Sequence, residues 1–200
     1  MHGLINRTIQ NFVTDSYGAE RWTEVTRAAN AETADFEPML SYDRETTSGL
    51  VAAMAAVLER TPENCLEDLG TYLVSHPNSR TARRLLRYGG DDFREFLLSL
   101  DDLPDRLRLA LPDLRLPELE VIEHDAQSCT VLCRGSEPLF AAVLLGVLRA
   151  MADDYGALAL LQPGSRLDGV ATLDVLLVDE AHGLAKSFDL APARVEETLE

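Results

Sequence analysis

Asp91-Asp92-Phe93-Arg94-Glu95-Phe96-Leu97-Leu98-Ser99-Leu100-Asp101-Asp102-Leu103-Pro104-Asp105-Arg106-Leu107-Arg108-Leu109-Ala110-Leu111 is the stretch on which the reading of the fold turns. Phe93, Phe96, Leu97, Leu100, Leu103, Leu107 and Leu111 recur at three- and four-residue steps, the stripe of a helix laid against a core. Asp91 and Asp92 suit its start, as caps and as charges favoured by the helix dipole. Pro104 breaks the pattern. Proline lacks the backbone donor and clashes with the carbonyl four residues back, costing about 3 kcal/mol inside a helix. The sequence therefore predicts a helix that kinks or restarts at Pro104.

The chain around it has 200 residues, enough for one domain or two subdomains with a full core. Its 46% hydrophobic content argues against disorder. The net charge of −16 disfavours binding to a phosphate backbone, which needs clustered cations, so no nucleic-acid partner is expected. Arg80, Arg83, Arg84 and Arg87 form the one basic concentration, read as a solvated helix face or a docking patch for an acidic group. Three cysteines do not make a disulfide scaffold. The first residues enter an amphipathic pattern without signal-peptide architecture, and the longest apolar run, Leu139 to Leu148, is too short to span a bilayer. A reduced, cytoplasmic, soluble protein with no membrane partner is the expectation.

In chain order, the spacing predicts helices over 3–14, 19–30, 46–60, 61–75 and 79–88, with 31–47 mostly loop. Tyr17-Gly18 closes the first, and Thr61-Pro62 opens the fourth with proline at the first helical position. Past Pro112 and Pro117 the period changes. Leu119, Val121 and Ile122 suit a short strand, and Cys129, Val131 and Cys133 alternate with Thr130 and Leu132 in a second. Residues 138–153 are apolar nearly all round, a buried helix. Ala157 to Leu161 and Ala171 to Val178 are β-rich runs with a turn signal at Gln162-Pro163-Gly164. Residues 183–200 read as a polar tail that can end in helix. The fold class is α+β, helices first and then an antiparallel sheet of about four strands.

Several pieces of this order resemble one family. Met1-His2-Gly3-Leu4-Ile5-Asn6, Tyr17-Gly18 with Trp22, Leu50-Val51-Ala52-Ala53, and Gly90 followed by Phe93, Glu95-Phe96-Leu97, Leu100-Asp101 and Leu103 resemble the haem–nitric oxide/oxygen binding (H-NOX) family, notably the N-terminal domain of the soluble guanylate cyclase β subunit. The resemblance covers residues 1–180 or so. It implies a single domain over 1–182, with a helical subdomain at 1–60 and an α+β subdomain at 61–182, and a haem pocket between. It also implies gas sensing on behalf of a signalling partner such as a histidine kinase or nucleotide cyclase, as a homo- or heterodimer.

The same resemblance locates the haem-binding positions, and each has changed. The family's axial histidine falls at Pro104, which has no lone pair to offer iron. The Tyr-x-Ser-x-Arg motif that clasps the haem propionates, counted back from Gly146, falls at Cys133, Gly135 and Glu137. A hydroxyl, a second hydroxyl and a cation have become a thiol, nothing and an anion, and Glu137 would repel a propionate. Arg134 is adjacent but points to the other face of a strand. Residues 139–148 hold no tyrosine for the oxygen-binding branch. The expectation is a degenerate site without haem, lined by Leu4, Phe93, Leu97, Leu100 and Val143. The alternatives are a haem-binding nitric oxide sensor with a non-standard axial ligand, His2 or Cys133, and a non-sensing structural subunit of an H-NOX heterodimer.

Other chemistry is sparse. His2, His76, His124 and His182 lie near turns or ends and give no ligand pair. Cys129 and Cys133, four apart on a strand, place their sulfurs roughly 13 Å apart, too far for one zinc. Asp91-Asp92, Asp101-Asp102 and Asp153-Asp154 suit helix termini or solvent faces. No nucleophile triad or phosphate-cradling glycine loop is present, so no enzyme is expected.

Overall fold

The computed structural model describes residues 2–114, 116–135, 138–180, 182, 183 and 185. Five helices come first: α1 (Gly3–Tyr17), α2 (Ala19–Ala28), α3 (Arg44–Val57), α4 (Pro62–Ser75) and, after a 3₁₀ turn at Pro77–Ser79, α5 (Arg80–Arg87). α6 (Phe93–Leu98), a 3₁₀ turn (Ser99–Asp102) and α7 (Leu103–Ala110) follow. Then come β1 (Glu118–Glu123), β2 (Ser128–Arg134), α8 (Pro138–Tyr155), β3 (Leu158–Leu167) and β4 (Val170–Asp179). No described helix is long and apolar enough to cross a membrane. The architecture is α+β, as its sequence predicts.

The helix ends follow their capping chemistry. The Thr61 hydroxyl accepts from Asn64 N–H at 3.2 Å, with Pro62 in the first turn of α4. Gly18, at φ 93°, separates α1 from α2 in a conformation that a side chain would strain. The polar stretch between α2 and α3 has no helix, but side chains hold it. Trp22 Nε1 donates to Ala34 O at 2.7 Å, and Gln10 Oε1 accepts from Phe36 N–H at 3.0 Å. Phe36 is thereby buried against Trp22 and Tyr42.

The 91–111 stripe resolves into two helices. Asp92 caps α6 by accepting from Glu95 N–H at 2.8 Å, while Glu95 Oε2 accepts from Asp91 N–H at 2.9 Å. The chain tightens through Ser99–Asp102 and restarts as α7 with Pro104 in its first turn. There the missing N–H removes no intrahelical bond. The helix has restarted, and its apolar stripe continues across the break.

The sheet is antiparallel, in the order β1-β2-β4-β3. Cys129, Val131 and Cys133 of β2 stand opposite Val175, Leu173 and Ala171 of β4, and all six face inward. Thr130 and Asp174 stand opposite each other on the outer face, joined by a 2.9 Å hydrogen bond. The turn expected at Gln162-Pro163-Gly164 lies elsewhere. β3 runs through those residues, and the hairpin closes at Asp168-Gly169, with φ 50° and 78°. Two consecutive left-handed residues suit a two-residue loop joining twisted strands. Pro163 is tolerated because β3 is an edge strand, and the register shifts between Pro163 and Arg166.

Two hydrophobic cores result. The first gathers Ile9, Phe12, Val13, Trp22, Val25, Leu50, Met54, Leu66, Leu69 and Tyr72 from α1–α4. In the second, Phe93, Phe96, Leu97 and Leu100 pack with Leu144, Leu148 and Met151 of α8 and the inner face of the sheet. α4 and α8 join the two by crossing at glycines. A Cβ on Gly70 would collide with the Val143 carbonyl, and one on Gly146 with the Glu67 carbonyl. Val143 touches both cores.

Candidate functional site

Pro104 is buried at the start of α7, beside Leu103 and Leu100, which are 3% and 0% exposed. The approach to it is held on both sides. Asp101 Oδ1 accepts from Val121 N–H at 2.7 Å, fixing the 3₁₀ turn to β1. Arg106 Nη2 donates to Ser99 O at 3.1 Å and to Ser99 Oγ at 3.2 Å, spanning the break from the other side. The position expected to carry an axial ligand is thus a buried proline whose side chain has no donor atom.

Cys133 is fully buried on β2, opposite Leu119 of β1 and Ala171 of β4. Burial pushes its thiol up to about 11, and burial also raises Cys129 to about 11. The thiolate is the form that ligates metal, so both sulfurs are poor donors at neutral pH. Gly135 ends β2 exposed, at φ 69°, and its N–H donates to Gly169 O at 3.2 Å. Glu137 lies outside the described residues. Phe93, Leu97 and Leu100 share the second core with Cys133. Leu4 is half-buried in the first turn of α1 and, among the described residues, is not one of those packed into either core.

His2 caps α1: its Nδ1 accepts from Leu4 N–H at 3.2 Å, and its backbone pairs with Ser41. His76 Nδ1 accepts from Asn78 N–H at 3.3 Å while its ring stacks on Tyr72. His124 Nε2 lies 2.9 Å from Thr130 Oγ1. His182 lies 3.8 Å from Asp179 on the surface. The histidines thus have local roles as caps, turn acceptors and surface partners.

Two concavities flank these elements. One of about 20 Å³ lies among Leu97, Leu98, Cys129 and Val175, room for about one water. The other is an open groove of about 340 Å³ beside Phe12, Tyr17, Tyr72 and His76. Neither Pro104 nor Cys133 lines either one.

Two polar clusters escaped the sequence reading. Asp154, expected at a solvent face or helix end, is 1% exposed. Arg83 grips it bidentately, with Nη2 at 2.7 Å and Nε at 3.1 Å, and Arg87 Nε lies 3.8 Å away. Arg87 also stacks over the Tyr155 ring, whose hydroxyl donates to Gly90 O at 2.8 Å. Half of the supposed basic surface therefore turns inward. In the second cluster, Asp15 accepts from the Tyr72 hydroxyl at 2.6 Å and from Asn78 Nδ2 at 2.9 Å. Those bonds hold the Asp15 carboxyl below the usual carboxylate range, while burial and Asp15 itself push Tyr72 up to about 12.

The fold has close counterparts among solved proteins. An unliganded Fe(II) H-NOX protein from K. algicida superposes with a TM-score of 0.77 at 18% identity, over 90% of this chain and 97% of that one. The Fe(II)NO form of an H-NOX protein from S. oneidensis gives 0.74 at 16%, over 90% and 100%. By sequence, the chain is 21% identical over 155 residues to soluble guanylate cyclase 89Db of Drosophila melanogaster, covering 78% of this chain and 23% of the relative. It is 29% identical over 104 residues to soluble guanylate cyclase gcy-32 of Caenorhabditis elegans, covering 52% and 15%. The chain therefore spans less than a quarter of the length of these cyclases. A family model described as haem-NO-binding matches residues 2–159, and with its fold in agreement the chain belongs to the haem-NO-binding family.

Proposed function

We propose that this chain is a sensory or regulatory domain of a signalling system that does not hold haem in its family's usual way. The observation that carries this reading is Pro104, buried in the first turn of α7 where the resemblance calls for an imidazole. Cys133 supports it, standing as a neutral thiol inside an apolar core where a propionate-clasping hydroxyl is called for. Gly135 offers no side chain, and Glu137 carries the wrong charge for a propionate. The donor set therefore does not fit the group. The domain's output is contact with a cytoplasmic partner such as a nucleotide cyclase or histidine kinase, a reading supported by the cyclases it resembles.

The test is absorbance of the protein expressed with haem supplementation. No Soret band is expected from the parent chain. Restoring Pro104→His with Cys133→Tyr, Gly135→Ser and Glu137→Arg is expected to create one. A stoichiometric band from the parent overturns the reading, and its loss in His2→Ala or Cys133→Ser would then identify the ligand. Co-purification with a cyclase or kinase tests the output.

A further inference from the structure

The open groove beside His76 is built where α1 and α4 both end. Phe12, Ser16 and Tyr17 come from α1, and Thr71, Tyr72 and Ser75 share one face of α4. At about 340 Å³ it reaches the lower end of the size of ligand sites. Its aromatic surface is continuous. Phe12 packs edge-on to Tyr17 at 5.7 Å and to Tyr72 at 5.6 Å between ring centroids, and His76 stacks on Tyr72 at 4.7 Å. Tyr17 keeps 39% of its surface in solvent, so part of its ring is open to an incoming group.

The electrostatics of the groove have one sign. A helix C-terminus is the negative end of its dipole and favours a cation, yet neither α1 nor α4 has a basic residue in its last turn. Asp15 adds a carboxylate whose Oδ2 accepts from the Tyr72 hydroxyl and from Asn78 Nδ2, and with its side chain 24% exposed it is in reach of solvent. Those two bonds hold it ionised, while Tyr72, pushed up to about 12, stays neutral. Asp68, also at the groove, is already paired with Arg60 and adds no net charge. His76 spends its Nδ1 accepting from Asn78 N–H, so it supplies no positive charge in this arrangement. The net charge of −16 on the whole chain draws cations towards it as well.

Among cations, a guanidinium suits this surface. It is flat and weakly hydrated and stacks on aromatic faces, whereas an ammonium holds its water more tightly. A bare guanidinium leaves much of the groove unfilled, and the apolar stem of an arginine would cover the remaining aromatic surface. We propose that the groove docks an arginine side chain of a partner protein, with the guanidinium over the Tyr17 ring on the Asp15 side and the stem against Phe12 and Tyr72. The inference rests on the reading that the domain acts through contact with a partner, and it is independent of the haem site.

A titration of the isotope-labelled 200-residue protein with the blocked tripeptide Ala-Arg-Ala, followed by amide NMR shifts, tests it. The expected result is saturable shifts at Ser16, Tyr17, Thr71 and Ser75, with β2 unmoved. The same tripeptide carrying citrulline, the neutral isostere of arginine, should bind about tenfold more weakly or worse. Tyr17→Ser should weaken the arginine peptide about threefold or more, and Tyr17→Trp should tighten it, since indole is the better ring for a cation. Ser75→Arg supplies the cation within the chain and should abolish binding while the fold persists, because an arginine suits the last turn of α4. Absence of saturable shifts overturns the proposal, as does equal binding of the citrulline peptide or binding that survives Ser75→Arg. Methylguanidinium binding as tightly as the tripeptide overturns it too, by making a free small cation the occupant. Any of these results removes the place of contact and leaves the partner itself to be judged by co-purification.

Discussion

Asp154 shows what a single buried charge does in this molecule. Its carboxylate is almost sealed from solvent and is satisfied by two arginines one helical turn apart on α5. Asp154→Ala would remove one buried counter-charge from beside both guanidiniums. Since Arg83 is partly exposed and can turn to water, the expected loss is roughly 3 kcal/mol, the low end for a broken buried pair. Urea unfolding of the variant against the parent measures it. The pairing was not legible in the sequence, because 71 residues separate the partners and an acid at a helix end is ordinarily solvated. Asp15 and Tyr72 give a pH signature. Asp15 titrates below its unfolded value, so its contribution is complete above the unfolded pKa and fades as pH falls through the folded one. Tyr72 is raised to about 12, so its contribution is complete below about 10 and fades on the alkaline side. Tyr72→Phe is expected to raise the Asp15 pKa towards its ordinary value, read from its carboxyl resonance in an NMR titration.

At the scale of elements, the break in the 91–111 stripe is the feature best read beforehand. The cost of an interior proline allowed only a kink or a restart, and the structure has the restart. Because Pro104 sits where a helix has no N–H to lose, Pro104→Ala is expected to change stability by less than about 1 kcal/mol. Asp92→Ala removes the α6 cap and is expected to cost about 1 kcal/mol. Thermal unfolding of the two variants side by side checks that contrast. The β3–β4 hairpin was legible in kind and wrong in place. Pro163-Gly164 looks like a turn only if the strand is assumed to need every N–H, and an edge strand with a bulge does not. Asp168-Gly169 carried the true signal, an Asp-Gly pair between two apolar runs. The candidate site was legible only through a resemblance: spacing alone gives no reason to expect an imidazole at Pro104 or a hydroxyl at Cys133.

The whole molecule is two cores joined across α4 and α8, and the join depends on two residues having no side chain. Gly146→Ala places a methyl against the Glu67 carbonyl, and neither backbone can move without disturbing a core. The expected cost is roughly 1–3 kcal/mol, measured as a shift of the denaturant midpoint. The three thiols turn this architecture into a built-in clock. Cys65 belongs to the first core, Cys129 and Cys133 to the second, and burial raises the pKa of all three. A maleimide or disulfide reagent in native buffer should therefore stall until the molecule breathes, and the order in which the sulfurs are modified will record whether the two halves come apart together or one at a time.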